Sequence, residues 1–301
     1  MCLIAFAIGA SERWPLVIAA NRDEFLARPT LPLARWQTAS GQEIISGRDL
    51  RAGGTWLGIT PGGRVAFLTN VRQTRPEVAP RSRGELVTRW LEGSGDAAGF
   101  VAGLQKAEGG GAAYGGFNLV LGDLQRNAWT WVTNRQAMAP AAPALYHQAL
   151  PPGLYGLSNA GLDTPWPKTL ELKRVLAMAL QAGEGPASRE ALQSLLWAAL
   201  GNRQRALPQD LPHTGVPPEL EEALSSAFVD FPGHAYGTRC STLLLATPLS
   251  QAATGQVGQQ WNIELEERTH ARGGLALDTS ENDTRPQNVR SEQFRWRQAA
   301  G

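Results

Sequence analysis

At 301 residues, with 43% hydrophobic and 18% charged residues, the chain has an ordinary globular composition and is long enough to bury a large core. Its formal net charge of +1 gives no basis for nucleic acid or an anionic membrane as partner. Two cysteines, Cys2 and Cys240, cannot build a disulfide framework, and no stretch approaches the ~18 apolar residues of a membrane span. The apolar opening lacks a basic flank and a cleavage site, so no signal peptide and a cytoplasmic location are expected.

The opening apolar run 2–9 and the run 15–20 are separated by Ser11-Glu12-Arg13-Trp14, which predicts a hairpin. Neither run alternates with polar residues, so both faces of each strand should be covered. The second run ends abruptly in Asn21-Arg22-Asp23-Glu24. A second hairpin is expected from 53–59, the Pro61-Gly62-Gly63 turn and 65–71, with Asn70 near its end. Ser82 and Glu85 have capping-box spacing ahead of a helix, and another helix is expected from about 96 to 106. Strands return at 117–121 and 128–132, and the Ala/Pro-rich stretch 139–152 reads as a connection.

Helical patterns cover about 168–182, 188–200 and 218–228. A strand is expected through 236–245, and the alternating 261–266 reads as an edge strand or one with a solvated face. Residues 277–290 are polar and are expected to be loosely ordered. No repeat or composition break divides the chain, so 1–301 is expected to be one domain. The order of strands and helices is not a regular β-α-β alternation. Fully apolar hairpins need a layer on each side, which predicts an α+β fold: two mainly antiparallel sheets face to face, with helices outside each. Ten tryptophans should mostly pack the core, with some free to line an apolar pocket.

Several chemistries find no support. His147, His213, His234 and His270 are scattered without i, i+4 pairing, and there is no Cys-x-x-Cys, so no metal is expected. Neither a Gly-x-Ser-x-Gly elbow nor a dinucleotide fingerprint occurs, and the glycines at 109–111 lack phosphate-loop spacing. A thiol directly after Met1 is different. Trimming Met1 would put the thiol and a free α-amine on one residue, and an amine titrating near pH ~8 can take the thiol proton. Polar residues at strand ends supply the remaining parts. Arg22 can stabilise a thiolate, Asp23 can orient the amine, and Asn70, Asn159 and Arg239 offer donors for a tetrahedral oxyanion.

Asn21-Arg22-Asp23-Glu24 behind a Met-Cys start resembles the signature of the NRDE, or transport and Golgi organization protein 2, family. Further segments similar to that family are Gly53-Gly54-Thr55-Trp56-Leu57-Gly58, Leu68-Thr69-Asn70-Val71-Arg72, Ser82-Arg83-Gly84-Glu85-Leu86, Gly116-Phe117-Asn118-Leu119, Leu157-Ser158-Asn159-Ala160, Thr164-Pro165-Trp166-Pro167-Lys168 and Tyr236-Gly237-Thr238-Arg239. The resemblance implies a four-layer αββα sandwich like the N-terminal-nucleophile (Ntn) hydrolases, with Cys2 as nucleophile of a cysteine-type amidase acting on a linear amide or related acyl compound. It further implies catalytic roles for Arg22, Asp23, Asn70 or Asn159, and Arg239. Asn21, Glu24, Trp56 and Arg72 are expected to bind substrate, with Glu24 or Asn21 able to share the role of Asp23. The cysteine-type amidases usually separate that arginine and aspartate by two residues, whereas Arg22 and Asp23 are adjacent. Strand neighbours face opposite ways, so both enter one pocket only where the strand ends or bulges. No cofactor is expected. The family's link to haem trafficking implies an alternative, a non-catalytic carrier of haem or another apolar ligand.

Overall fold

A computed structural model describes residues 2–74, 79–135, 145–181, 187–249, 259–270 and 288–299. Its strands form two antiparallel sheets, each of seven strands among the described residues. At the centre of the first sheet lie β1 (Cys2–Ile8) and β2 (Leu16–Phe25). β1 is bordered on its other side by β10 (Gly153–Leu157). β2 is followed by β12 (Tyr236–Pro248), β13 (Gln260–Thr269) and β14 (Val289–Arg297), and β11 (Asp230–Phe231) also pairs with β12. The second sheet runs in chain order: β3 (Thr30–Gln37), β4 (Glu43–Asp49), β5 (Leu57–Ile59), β6 (Arg64–Asn70), β7 (Phe117–Asp123), β8 (Ala128–Thr133) and β9 (Tyr146–Ala149).

The apolar opening explains its own position. Ile4, Phe6 and Ile8 face the second sheet, while Leu3, Ala5 and Ala7 face the helices α3 (Pro167–Gln181) and α4 (Ala187–Leu200). The rings of Phe6 and Phe67 meet edge to face at 4.9 Å between the sheets, a contact typically worth about 0.5–1.5 kcal/mol beyond the area it buries. The helix side is close-packed: a Cβ on Gly156 of β10 would meet Thr169 of α3 at 2.5 Å. On the far side of the second sheet, α1 (Gly84–Glu92) and α2 (Ala97–Lys106) bury Leu86, Trp90, Val101 and Leu104. The four layers are therefore helix, sheet, sheet, helix, as the two-sided apolar hairpins require.

Some expectations are corrected. β2 does not stop at Ala20 but continues through Phe25, so the polar tetrad lies in the strand. The capping box is absent: α1 is preceded by Arg83 with no side-chain cap, and Glu85 pairs with Arg81. The connection at 139–152 contains edge strand β9, of which Tyr146–Ala149 is exposed or half-buried. The helix expected over 218–228 is the short α5, Pro218–Ala223. β13 is not an edge, because β14 covers it; its alternating burial reflects one solvated face. Residues 277–287 of the polar tail lie outside the described residues, and Val289–Arg297 is a strand with Trp296 fully buried.

Candidate active site

The site is built on one row across three strands. Cys2 at the start of β1 lies opposite Arg22 of β2, and Arg22 lies opposite Cys240 of β12. On the β12 side the register slips between Thr238 and Cys240, so Arg239 is an extra, bulged residue. Asp23 pairs with Thr238 on β12, and among the described residues β1 begins at Cys2, opposite Arg22. A strand end and a bulge thus coincide at the tetrad, and the adjacent Arg22 and Asp23 both line one cavity of about 850 Å³. Cys2, Asn70, Glu24, Trp56, Arg72 and Arg239 line it as well.

Burial dominates the electrostatics. It pushes the Cys2 thiol up, against the opposing pull of Arg22 and a hydrogen bond from the Asp23 backbone. It also raises the Asp23 carboxyl, with Lys168 opposing. Asp23 Oδ1 accepts from Thr238 Oγ1 at 2.7 Å, and its backbone carbonyl accepts from Tyr236 Oη at 2.8 Å. Lys168, buried at the start of α3, donates from Nζ to the Leu224 carbonyl at 2.8 Å and is pushed down to about 8 by burial. Arg22 and Glu24 share the opposite face of β2 and approach to 3.6 Å.

Asn70, the last residue of β6, brings the second sheet to the cavity that Cys2 lines. Asn159 Nδ2 donates to the Asn70 carbonyl at 3.0 Å and to Asn70 Oδ1 at 3.1 Å. With its oxygen so occupied, the Asn70 side chain is oriented with its amide nitrogen left as a donor. Asn159 is buried behind Asn70 and does not line the cavity. Ser158 completes the link: its Oγ donates to the Cys2 carbonyl at 3.2 Å and lies 3.3 Å from Asn159 Oδ1.

Other expected residues fall elsewhere or are otherwise engaged. Asn21 faces the helices, where Nδ2 donates to the Leu200 and Ala227 carbonyls, both at 2.8 Å, and Oδ1 accepts from Ser241; it is a clamp between β2 and the helical layer. Nη1 of Arg239 donates to the carbonyls of Phe25, Leu26 and Arg28 at 2.8–3.0 Å, so the bulged residue holds the loop after β2. Arg72 is ion-paired with Glu221 and lies 4.6 Å over the Trp166 ring. Cys240 belongs to the core cluster and also lines the cavity. The bulge turns it to the cavity, where it is bonded to Glu267 and burial pushes it well above the usual thiol range.

Arg83, Lys168 and Tyr236 stand at or beside the cavity without having been assigned roles. Each occurs in a segment that resembles the family, but no local spacing marks it. Of the histidines, His147 and His213 are exposed and do not line the cavity. His234 and His270 do line it; the first stacks on Phe231 at 4.0 Å and Nε2 of the second lies 2.9 Å from Ser241 Oγ. No described helix is long and apolar enough to cross a membrane.

Among solved structures, the chain resembles an N-acylethanolamine-hydrolyzing acid amidase ortholog from Caenorhabditis elegans, with a TM-score of 0.44 and 10% identity over 81% of this chain and 92% of that one. A mutant of the conjugated bile acid hydrolase from Clostridium perfringens gives a TM-score of 0.37 and 8% identity over 98% and 97% of the two chains. In sequence, the chain is 36% identical to the Transport and Golgi organization protein 2 homolog of Bos taurus over 256 residues, covering 81% of this chain and 88% of the relative. It is 35% identical to the Homo sapiens homolog over 259 residues (81% and 88%) and 29% identical to the Drosophila melanogaster protein over 262 (81% and 87%). Residues 1–254 match the family described as Transport and Golgi organisation 2, and the chain belongs to that family.

Proposed function

We propose that the protein is a cysteine-type Ntn hydrolase that cleaves a linear amide or related acyl compound after Met1 is removed. One observation carries this reading: Cys2, Arg22, Asp23 and Asn70, drawn from both sheets, line one cavity beneath which the first strand begins. Burial holds the Cys2 thiol protonated, so attack needs a base, and the freed α-amine is the group on the same residue that titrates low enough.

The amine takes the thiol proton as Sγ bonds to the substrate carbonyl carbon. The C–N bond then breaks, the leaving amine carries that proton away, and a thioester remains on Cys2. Water next attacks the thioester, giving its hydroxyl to the acyl group and its proton back to sulfur. Arg22 steadies the thiolate, the Asn70 amide donates to the oxyanion, and Asn159 keeps Asn70 aimed. Asp23, held by Thr238 and Tyr236 with Lys168 nearby, orients the terminal amine.

Intact-mass measurement of the purified chain, followed by treatment with a thiol-reactive amide analogue, tests this. Loss of Met1 and a single adduct on Cys2 are expected. A retained Met1, or a Cys2 that does not react, overturns it. The alternative, a haem carrier, predicts a defined Soret shift at stoichiometric haem that persists in Cys2→Ser. The cavity histidines are already engaged with Phe231 and Ser241, which favours the hydrolase.

A further inference from the structure

The cavity is lined by eight arginines and four carboxylates. Most of the arginines are already engaged. Arg22 and Arg28 face Glu24 and Asp49, Arg72 faces Glu221, Arg81 faces Glu85, and Arg239 is bound to backbone carbonyls. Three differ. Among the described residues, no carboxylate lies within ion-pairing distance of Arg48, Arg51 or Arg83. Arg48 lies 4.6 Å over the Trp36 ring, and its Nε reaches the Gly53 carbonyl only at 3.4 Å. Arg83 donates from Nη1 to the Gly116 carbonyl at 3.1 Å, which leaves its other donors for something else.

The fold brings Arg83 and the arm carrying Arg51 to one wall. Gly54 lies against the start of α1 so tightly that a Cβ on it would meet the Gly84 backbone at 2.6 Å. That contact seats the 50–55 turn directly beside Arg83. Arg83 lines the same cavity as Cys2, and burial pulls its guanidinium down. A half-buried guanidinium without a carboxylate is costly unless an anion joins it. Next to it, Trp56, Leu68, Val71, Leu220 and Leu224 supply apolar wall.

We propose that the cavity recognises a carboxylate-bearing amide of the N-acyl amino acid class, with Arg83 holding the carboxylate, Arg48 and Arg51 adding positive field at the mouth, and the apolar wall taking the acyl chain. The substrate class rests on the hydrolase reading given above, whereas the anion site does not depend on turnover.

The test is calorimetric binding to the full-length Cys2→Ala chain, which cannot form a thioester and keeps a small residue after Met1. The probes are N-dodecanoylglycine and its neutral counterpart N-dodecanoylethanolamide. The glycine conjugate should bind at least ~10-fold tighter, the margin expected for a charge-assisted contact to arginine. The preference should shrink with added salt, vanish in Arg83→Met and survive in part in Arg83→Lys. Thermal unfolding of both variants checks that each is folded; if Arg83→Met is not, loss of the preference in Arg51→Gln with Arg48→Gln and its salt dependence decide instead. Equal affinity for the two probes, no binding of either, or a preference indifferent to the arginine substitutions and to salt overturns the proposal. Arg83-dependent binding without cleavage by the wild-type chain would instead remove the hydrolase reading and leave the anion site standing.

Discussion

Two thiols flank Arg22 on neighbouring strands, and they are not equivalent. Cys2 and Cys240 are nearly equally buried, at 7% and 8% exposure, and both line the same cavity. Cys2 heads its strand, accepts a hydrogen bond from the Asp23 backbone, and is tied through Ser158 and Asn159 to Asn70. Cys240 sits inside a long strand against the buried Glu267, and burial, reinforced by Glu267, pushes its thiol well above the usual range. Burial alone therefore does not separate a nucleophile from an inert thiol. What separates them is the place of Cys2 at the head of its strand, with Asn70 lining the same cavity, and the hydrogen bond that ties Cys240 to Glu267.

The comparison can be broken in four ways. The largest effect should come from Cys2→Ala, which removes the sulfur that forms the acyl bond; amide turnover should fall at least ~10³-fold, as for other nucleophile deletions, while Cys240→Ala stays within a few-fold. Steady-state kinetics on both variants measure it. Next, Asn70→Ala should lower kcat by about 10²–10³ with little change in KM, the pattern of a lost oxyanion donor, and single-turnover kinetics separate the two constants. Third, iodoacetamide at pH 8.5 should modify Cys2 at least ~10-fold faster than Cys240, because burial and then the neighbouring Glu267 push the second thiol well above the usual range. Peptide mapping by mass spectrometry reads the ratio; comparable rates would erase the distinction.

The smallest effect concerns the neighbours. Lys168 is held near 8 in the folded chain, against an ordinary lysine value of about 10.5. Between those values the unfolded chain keeps a proton that the folded chain has released, so stability contributed through Lys168 rises with pH across that window. Urea unfolding from pH 7.5 to 10.5 should show this rise as the difference between wild type and Lys168→Met. Cys240→Ala should leave that difference unchanged.

Much of this arrangement is written in local pattern, and the rest is not. Strands with both faces apolar, such as β1 and β6, announce their central place, and so does the layering they demand. By contrast β3, β9 and β14 leave nearly all their side chains exposed or half-buried, and they are strands because a neighbour offers them an edge. The Met-Cys start and the tetrad are legible as a candidate site, and Cys2, Arg22, Asp23 and Glu24 line one cavity. The bulge at Arg239 is not legible, since nothing in Thr238-Arg239-Cys240 signals an extra residue, and regular alternation would place Arg239 and Cys240 on opposite faces. Asn21 reads like its polar neighbours, yet strand periodicity turns it toward the helices. Lys168 and Arg83 acquire meaning only when distant segments close over them.

The topology has a consequence for how the molecule must be made. Strands of the second sheet pair one after another along the chain, so each finds its partner almost as soon as it exists. The β1–β2 hairpin leaves both outer edges open until β10 and β12 arrive, near the middle and toward the end of the chain. During synthesis it is a nearly pure apolar ribbon with two unpaired edges, the kind of segment that recruits other chains. Such long-range closure makes folding slow and exposes it to chaperone dependence. Substitutions that weaken β12 should therefore appear first as insoluble protein, before any loss of activity in the fraction that folds.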